Sequence, residues 1–284
     1  MKKLLNALIA GLLAVVGLFT FTACNPTGKD ANIKGYEGDV VGVDIYLMAL
    51  VCEELDMKME VKDVDFDGIV GAVATKDNAV GAAGITINDE RKQSVDFSNA
   101  YYSSVQYIIS KSGEAFTSLE ALAGKKIGVQ KGTTGALMVA DAIETAEGAL
   151  YNTGAQAIEY DTGAVAFTAM KQNKCDYVVI DELPAQKLVY NDTTYVANAI
   201  AGIEVEEYGL CVSKTSTLNA DIIAAMNKVI AETDMSNVVA YYTSIANGEE
   251  PTVTIKAVNL ADNKGDALEV YTCSGFEPYE FVVD

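Results

Sequence analysis

Segments with the apolar spacing of helices alternate along the chain with short apolar runs typical of buried strands. Residues 219–232 show the helical pattern, because Ile222, Met226 and Val229 recur at intervals of three and four positions. Residues 177–180 show the strand pattern, a short apolar run that ends at a charged residue. Such alternation predicts an α/β architecture. In order, we predict helices at 43–55, 67–73, 118–122, from about 136 onward, 183–190 and 219–232, and strands at 59–64, 80–83, 107–110, 126–129, 177–180 and 210–213.

The first 24 residues have the pattern of a secretion signal. Lys2 and Lys3 precede a mainly apolar run over residues 4–21, and Thr22-Ala23-Cys24 follows. Small residues directly before a cysteine resemble a bacterial lipobox, in which Cys24 is lipidated and becomes the mature N-terminus. We therefore expect an extracytoplasmic protein held by a lipid at the outer face of the cell membrane, with residues 25–35 as a flexible tether. The alternative is an uncleaved anchor helix, because the apolar run approaches the roughly 20 residues that span a bilayer.

The chain is strongly acidic, with 40 Asp and Glu residues against 20 Lys and Arg residues and a formal charge of −20 at pH 7. This balance argues against nucleic acid or anionic lipid as a partner. Histidine is absent, and Cys52, Cys175, Cys211 and Cys273 form no C-x-x-C pair. We therefore predict no metal site, no cofactor and no catalytic triad, and interpret these cysteines as small buried residues.

Arg91 is the only arginine in the chain, whereas every other basic residue is lysine. Lysine is sufficient where a surface needs only solvated positive charge. A guanidinium, unlike an ammonium, is preformed to hold a planar carboxylate through two parallel hydrogen bonds. The use of arginine at this one position predicts an anion site there. The alternative is a single structural salt bridge or a helix cap.

Three further features can complete a ligand site. The Thr133-Thr134 turn precedes a predicted helix, so its N–H groups and hydroxyls can receive an anion, although such residues are also ordinary helix caps. Asp181 ends a predicted strand and can receive an ammonium, or it can simply cap the helix that follows. Phe66 and Phe276 can cover an apolar group, although most phenylalanines are core residues. Together with Arg91, these residues provide donors for the carboxylate of an amino-acid zwitterion, an acceptor for its ammonium and an apolar wall for its side chain.

Several short motifs occur in a fixed order along the chain. They are Gly42-Val43-Asp44-Ile45, Asp65-Phe66-Asp67-Gly68, Gly84-Ile85-Thr86 with Glu90-Arg91-Lys92, Val95-Asp96-Phe97-Ser98, Gly132-Thr133-Thr134-Gly135 and a strand that ends in Asp181. In this order they resemble the motifs of the amino-acid-binding lipoproteins of ABC importers, solute-binding protein family 3. The resemblance covers nearly all of the chain after the tether. It implies an α/β, two-lobed periplasmic-binding-protein type 2 fold.

One element of the family pattern is out of place. In the family a first strand and a G-F-x-P-[FY]-x-F motif precede the helix that begins near Gly42, whereas here residues 268–271 and 275–281 carry them at the end. This order predicts a circularly permuted fold. The alternative is a truncated tandem protein whose tail begins a second copy, and the sequence leaves open whether the C-terminal strand completes its own lobe or a neighbouring chain's. In the permuted fold, lobe 1 comprises residues 36–111 and 204–284, and lobe 2 comprises residues 112–203.

The resemblance also implies a role for each matching residue. Arg91 and the Thr133-Thr134 turn hold the ligand carboxylate, and Asp181 holds the ammonium from the opposite lobe. The remaining implied contacts are Gly84 and Thr86 to the ligand main chain, Phe66 and Phe276 around its side chain, and Gln130, Ile180 and Cys273 at positions that vary with specificity.

The implied ligand is a free amino acid, and the implied partner is an ABC transporter permease. Relatives that bind lysine or arginine resemble one another in having an acidic group where this chain has Cys273, which favours a neutral, fairly apolar amino acid here. Two alternatives come from the same scaffold. One is a dehydratase-like enzyme in which Glu182 serves as the acid, and the other is a ligand-sensing partner of a receptor.

Overall fold

The structure is a computed structural model that describes residues 30, 32–114 and 116–283. The predicted signal peptide, the lipobox with Cys24 and most of the predicted tether lie outside these residues. Within the described ranges, no helix is both long enough and apolar enough to cross a membrane.

The strands include every one predicted from the sequence, with ends that differ by at most two residues. Residues 156–160 and 195–199 are strands that the apolar pattern did not predict, because both are partly exposed. In chain order the strands are β1 (Ile33–Lys34), β2 (Val40–Val41), β3 (Lys58–Asp63), β4 (Ala79–Gly81), β5 (Val95–Phe97), β6 (Tyr102–Ser104), β7 (Gln106–Lys111), β8 (Lys126–Gln130), β9 (Gln156–Tyr160), β10 (Tyr177–Asp181), β11 (Tyr195–Ala199), β12 (Glu206–Tyr208), β13 (Cys211–Ser213), β14 (Val258–Asn259), β15 (Ala267–Thr272) and β16 (Phe281–Val282).

The helices also follow the predicted order, and the predicted helix at 118–122 is a 3-10 turn over Leu119–Leu122. A second 3-10 turn covers Arg91–Gln93. The fourth and seventh helices were not predicted. The α-helices are α1 (Val43–Glu54), α2 (Phe66–Ala74), α3 (Thr134–Glu144), α4 (Gly163–Lys171), α5 (Glu182–Val189), α6 (Asn219–Glu232) and α7 (Met235–Ala246).

The first five-stranded sheet has the order β3-β15-β4-β13-β5. Its central region includes β15, which runs parallel to β3 on one side and to β4 on the other. Leu268 and Val270 of β15 are fully buried, as expected for a parallel strand covered on both faces. The C-terminal segment therefore completes the sheet of its own chain in this structure. We call the part of the protein built on this sheet lobe 1.

The second five-stranded sheet has the order β11-β7-β10-β8-β9, and we call the part built on it lobe 2. Strands β8, β9 and β10 are parallel and are connected through helices α3 and α4. Strand β7 pairs antiparallel with β10, so residues 106–111 belong to the second sheet. The predicted lobe 1 extended to residue 111 and thus differs from the structure here, because the apolar pattern of a strand does not say which sheet it joins.

The chain passes between the two sheets twice. Strand β6 leads from β5 of lobe 1 to β7 of lobe 2, and β12 leads back to β13 of lobe 1. These two connecting strands pair antiparallel, with Glu206 opposite Ser104 and Tyr208 opposite Tyr102. Two adjacent connections of this kind form the hinge of a two-lobed protein.

The C-terminal segment also closes the start of α1. The N–H groups of Val43 and Asp44 donate to the carbonyls of Pro278 and Tyr279, at 3.1 and 3.0 Å. These bonds satisfy donors that the first turn of a helix leaves without a partner inside the helix. Strand β16 pairs antiparallel with β2, so that residues 281–282 and 40–41 lie side by side like the two arms of a hairpin.

Candidate functional site

Most of the predicted ligand residues meet in one cleft between the two lobes. The cleft encloses a cavity of about 10 Å³, and this is room for about one water molecule. A larger hollow of about 300 Å³ lies between α1, α6 and the segment around Lys256, but its walls contain none of the predicted residues. The cleft is lined by Phe66, Gly84, Thr86, Gln130, Thr133, Thr134, Asp181 and Phe276.

Arg91 lies at the start of the 3-10 turn that follows the Gly84 segment. Its Nη1 donates to the carbonyl of Thr86 at 2.8 Å, and its Nη2 donates across the cleft to the carbonyl of Gly132 at 3.1 Å. The guanidinium carbon lies 5.4 Å from the centre of the Phe66 ring, which is cation–π range. Burial lowers the pKa of Arg91, and nearby acidic groups oppose this shift. The side chain is thus a partly buried cation between the lobes, held by carbonyl oxygens rather than by a cap.

The two threonines of the Thr133-Thr134 turn have different surroundings. Thr133 is the N-cap of α3, because its Oγ1 accepts from the N–H of Ala136 at 3.2 Å and donates to the carbonyl of Gln130 at 2.8 Å. Thr134 instead directs its hydroxyl into the cleft, where it lies 3.3 Å from the hydroxyl of Thr86. Only the Thr134 hydroxyl is therefore placed to meet a ligand, whereas Thr133 shapes the turn.

Asp181 ends β10 inside the cleft and is only 4% exposed. It occupies the N-cap position of α5, yet its side chain makes no capping hydrogen bond. Its Oδ1 accepts from Nε2 of Gln106 at 2.6 Å, and its Oδ2 accepts from the hydroxyl of Tyr208. Burial, followed by the charge of Glu206, raises the pKa of Asp181 to about 7. Capping therefore does not explain the position of this carboxyl group, which Gln106 and Tyr208 hold within the cleft.

Glu206 is a site residue that the sequence analysis missed. Its Oε2 accepts from the hydroxyls of Thr86 and Thr134, at 2.7 and 2.5 Å, and its Oε1 accepts from Nε2 of Gln106 at 2.6 Å. It reaches the cleft from β12, in the hinge, together with Tyr208 two positions later. Successive strand side chains point to opposite faces, so this pair could have been found from its spacing if 206–208 had been predicted as a strand.

The wall on the side of lobe 1 is aromatic. Phe276 is 7% exposed and packs against Gly84, which has a φ of 54°. A Cβ on Gly84 would lie 2.7 Å from Cε1 of Phe276, so any other residue would have to push the ring away. Cys273 accepts a weak hydrogen bond from Nε2 of Gln130 at 3.8 Å. Three predicted residues do not line the cavity itself. Cys273 and Ile180 are buried next to residues that do, and Arg91 contacts the lining residue Thr86 from behind through its carbonyl.

Glu182 follows Asp181, but its carboxylate makes hydrogen bonds to residues that do not line the cavity. Its Oε1 accepts from the hydroxyl of Tyr107 at 2.9 Å and from Nε2 of Gln186 at 3.2 Å. It also lies in the first turn of α5, where an acidic side chain stabilises the helix dipole. These contacts give Glu182 a structural role, and the geometry does not single it out as an acid for catalysis.

Two α/β lobes joined by paired connecting strands, with a partly buried cation and a buried carboxyl group between them, define a two-lobed solute-binding protein. The sequence model of the bacterial extracellular solute-binding proteins, family 3, matches residues 23–244. The chain belongs to this family. Its members named below are binding proteins rather than enzymes, which agrees with the expectation that this chain binds a solute and does not transform it.

Proteins similar in sequence bind amino acids. The L-arginine-binding protein of Pseudomonas aeruginosa is 33% identical over 192 residues, which cover 64% of this chain and 71% of that protein. The L-cystine-binding protein TcyJ of Escherichia coli is 25% identical over 203 residues, which cover 71% of this chain and 72% of that protein.

Solved structures agree with the fold. An ancestral arginine-binding protein bound to arginine is 33% identical, with a TM-score of 0.60 over 70% of this chain and 84% of that chain. The substrate-binding protein of an amino acid ABC transporter is 26% identical, with a TM-score of 0.59 over 72% of this chain and 87% of that chain. The predicted type 2 fold is thus confirmed at the level of its two α/β lobes.

Proposed function

We propose that this protein binds a free L-amino acid between its lobes and delivers it to an ABC import permease. The observation that carries the proposal is the position of Arg91 and Asp181 on opposite sides of one cleft, where Arg91 is partly buried, Asp181 is buried, and each is close enough to influence the other's charge. An amino-acid zwitterion has a carboxylate that can bind Arg91 and an ammonium that can bind Asp181. Family membership and the amino-acid-binding relatives support the same assignment.

In this proposal the ligand carboxylate lies on the lobe 1 side of the cleft. Arg91 exchanges its bonds to backbone carbonyls for two bonds to the carboxylate, which are stronger because both partners are charged. The Thr86 and Thr134 hydroxyls are the further donors at this end. Asp181 receives the ammonium, held in place by Gln106 and Tyr208.

For the ligand side chain we propose a neutral, fairly apolar group. The wall available to it is formed by Phe66 and Phe276, with Gln130 beside them and Cys273 and Ile180 behind. None of these five residues carries a charge, so a cationic side chain would be buried here without a partner, at a cost of several kcal/mol. This preference differs from the arginine specificity of the relative from P. aeruginosa, and the ligand panel described below tests it directly.

Binding requires the lobes to part and close again. The cavity holds about one water molecule, so an amino acid cannot enter while the lobes keep this separation. Contacts across the cleft include the bond of Arg91 to Gly132 and an ion pair between Lys131 and Asp67 at 2.6 Å. A ligand that joins Arg91 to Asp181 favours the closed form because it gains contacts with both lobes only there.

We also propose the lipid anchor at Cys24 and the circular permutation. The position of β15 between β3 and β4, and the hairpin-like pairing of β16 with β2, support a rearranged order of a family fold. A gene in which residues 266–283 precede residue 36 through a short linker should give the same fold and melting temperature. A rearranged chain that does not fold would refute the permutation.

Thermal-shift screening against the twenty L-amino acids, followed by isothermal titration calorimetry, tests the function itself. We expect stabilisation by one or a few neutral amino acids and little effect of arginine or lysine. If none of the twenty shifts the melting temperature or releases heat, amino-acid binding is wrong. If arginine binds most tightly, the neutral preference is wrong and the general function stands.

A further inference from the structure

The two hydroxyls at the proposed carboxylate end of the cleft already have a carboxylate partner within the protein. Thr86 and Thr134 each have a single hydroxyl proton, and both donate it to Oε2 of Glu206. Thr86 belongs to lobe 1 and Thr134 to lobe 2, so Glu206 bridges the lobes through one oxygen atom. Its other oxygen is held by Gln106, which also holds Asp181.

We propose that Glu206 is an internal competitor for the ligand carboxylate, which must leave the Thr86 and Thr134 hydroxyls before a ligand can use them. This inference rests on the proposed function, because it assumes that the ligand presents a carboxylate at this end of the cleft. A hydroxyl proton cannot be given to two carboxylates at full strength. Two carboxylates that share these hydroxyls would also repel each other, because like charges in contact at a partly buried site are only weakly screened.

The placement of Glu206 allows this exchange. The residue is only half-buried, so its side chain can swing from the cleft toward water without a large change in the backbone. Strand β12 lies in the hinge, where the two lobes move relative to each other. Opening of the lobes separates Thr86 from Thr134 and leaves Glu206 with at most one of its two hydroxyl partners.

Two consequences follow for the protein. Without ligand, the Glu206 bridge stabilises the closed arrangement and reduces the fraction of molecules that can accept a ligand, which weakens the apparent affinity. Glu206 also sets how readily Asp181 ionises, because its charge is the second cause of the raised pKa after burial. The other titratable or charged groups that face Asp181 are Arg91, Tyr208 and Tyr279.

The variant Glu206→Gln removes the charge with little change of shape, and Glu207→Gln is its matched control. Glu207 is the next residue of the same strand, is exposed, and points away from the cleft. We expect Glu206→Gln to bind the best amino acid of the twenty about tenfold more tightly than the wild type, by calorimetry at pH 7. The α-carboxamide of that amino acid has no carboxylate, so its affinity should rise by less than that of the amino acid. It gains from easier opening of the lobes and from easier ionisation of Asp181, but not from the loss of competition for the two hydroxyls. Glu207→Gln should match the wild type with both ligands.

Small-angle X-ray scattering without ligand gives an independent test. Ligand-free Glu206→Gln should have a larger radius of gyration than the ligand-free wild type, and the two should agree once ligand is bound. Glu206→Ala, checked for folding by circular dichroism, should behave in the same way.

The competition is refuted if Glu206→Gln binds the amino acid with unchanged or weaker affinity. Weaker binding would mean that Glu206 holds the ligand ammonium beside Asp181. Equal tightening for the amino acid and its α-carboxamide would also contradict competition for the carboxylate. A wild-type protein that binds no amino acid would overturn the proposed function instead, and the scattering comparison would still test the bridge because it needs no ligand.

Discussion

The substitution Asp181→Asn tests the ammonium site with the smallest change of shape. An asparagine can still meet Gln106 and Tyr208, whereas the negative charge is lost from a side chain that is 4% exposed. Removal of one partner of a buried ion pair costs about 3 kcal/mol or more, because the other charge stays buried without a partner. We therefore expect a loss of affinity on the order of a hundredfold for the best amino acid.

The pH dependence adds a second readout of the same site. Since the pKa of Asp181 is raised to about 7, only about half of the molecules carry the charge at pH 7. If the charged form is the one that binds, affinity should rise about tenfold from pH 6 to pH 8 as the carboxyl group ionises. Asp181→Asn should lack this slope.

Isothermal titration calorimetry at pH 6, 7 and 8 measures both effects. The matched control is Glu182→Gln, which removes the same charge one position later from a side chain held by Tyr107. This control should bind like the wild type. Nearly wild-type affinity in Asp181→Asn, or affinity of the wild type that is independent of pH, would refute the role of Asp181.

Three further predictions concern other parts of the account. Arg91→Lys should weaken binding about a hundredfold by calorimetry, because an ammonium cannot form two parallel bonds to a carboxylate, and an unchanged affinity would contradict the carboxylate site. The free energy of unfolding, from urea denaturation, should fall by roughly 2 kcal/mol or more between pH 5 and pH 8. Burial raises the pKa of Asp44 and Asp181 to about 7, so the folded state holds these protons more tightly than the unfolded state, and its stability is lost as the pH rises through that value. Asp44→Asn should reduce this slope, and a stability that rises with pH would contradict the interpretation. Gly84→Ala should lower the melting temperature and the affinity together, because its Cβ would meet Phe276, and a variant that keeps both would show that the ring moves freely.

The sequence predicts the regular elements well where apolar spacing is strong. Helix α6 has the predicted bounds, and the mostly buried strand β8 and the fully buried strand β10 were predicted within a residue of their ends. Helices α4 and α7 were missed, although the sequence contains a signal for each. Thr162 and Asp234 cap these helices by accepting from N–H groups three residues later, and such polar residues before an apolar run typically mark a helix start.

The sequence predictions included Asp181 and Thr134 among the site residues, and both line the cleft, while their contacts with a ligand stay predictions. They failed for Glu206 and Gln106, which reach the cleft only because strands β12 and β7 lie beside it in the folded chain. A predicted strand at 206–208 would have placed Glu206 and Tyr208 on one face, but it would not have shown that this face meets the cleft. The different roles of Thr133 and Thr134 were also beyond the sequence, because either hydroxyl can cap the helix and only the backbone conformation decides which one does.

A crystal structure of the protein with the amino acid that stabilises it most tests the central claim most directly. The account predicts that the ligand lies between the lobes, with its carboxylate on Arg91, its ammonium on Asp181 and its side chain against Phe66 and Phe276. It also predicts that Glu206 has moved off the Thr86 and Thr134 hydroxyls in that complex. A ligand bound elsewhere, such as the hollow between α1 and α6, or one that leaves Arg91 and Asp181 untouched, would contradict the account.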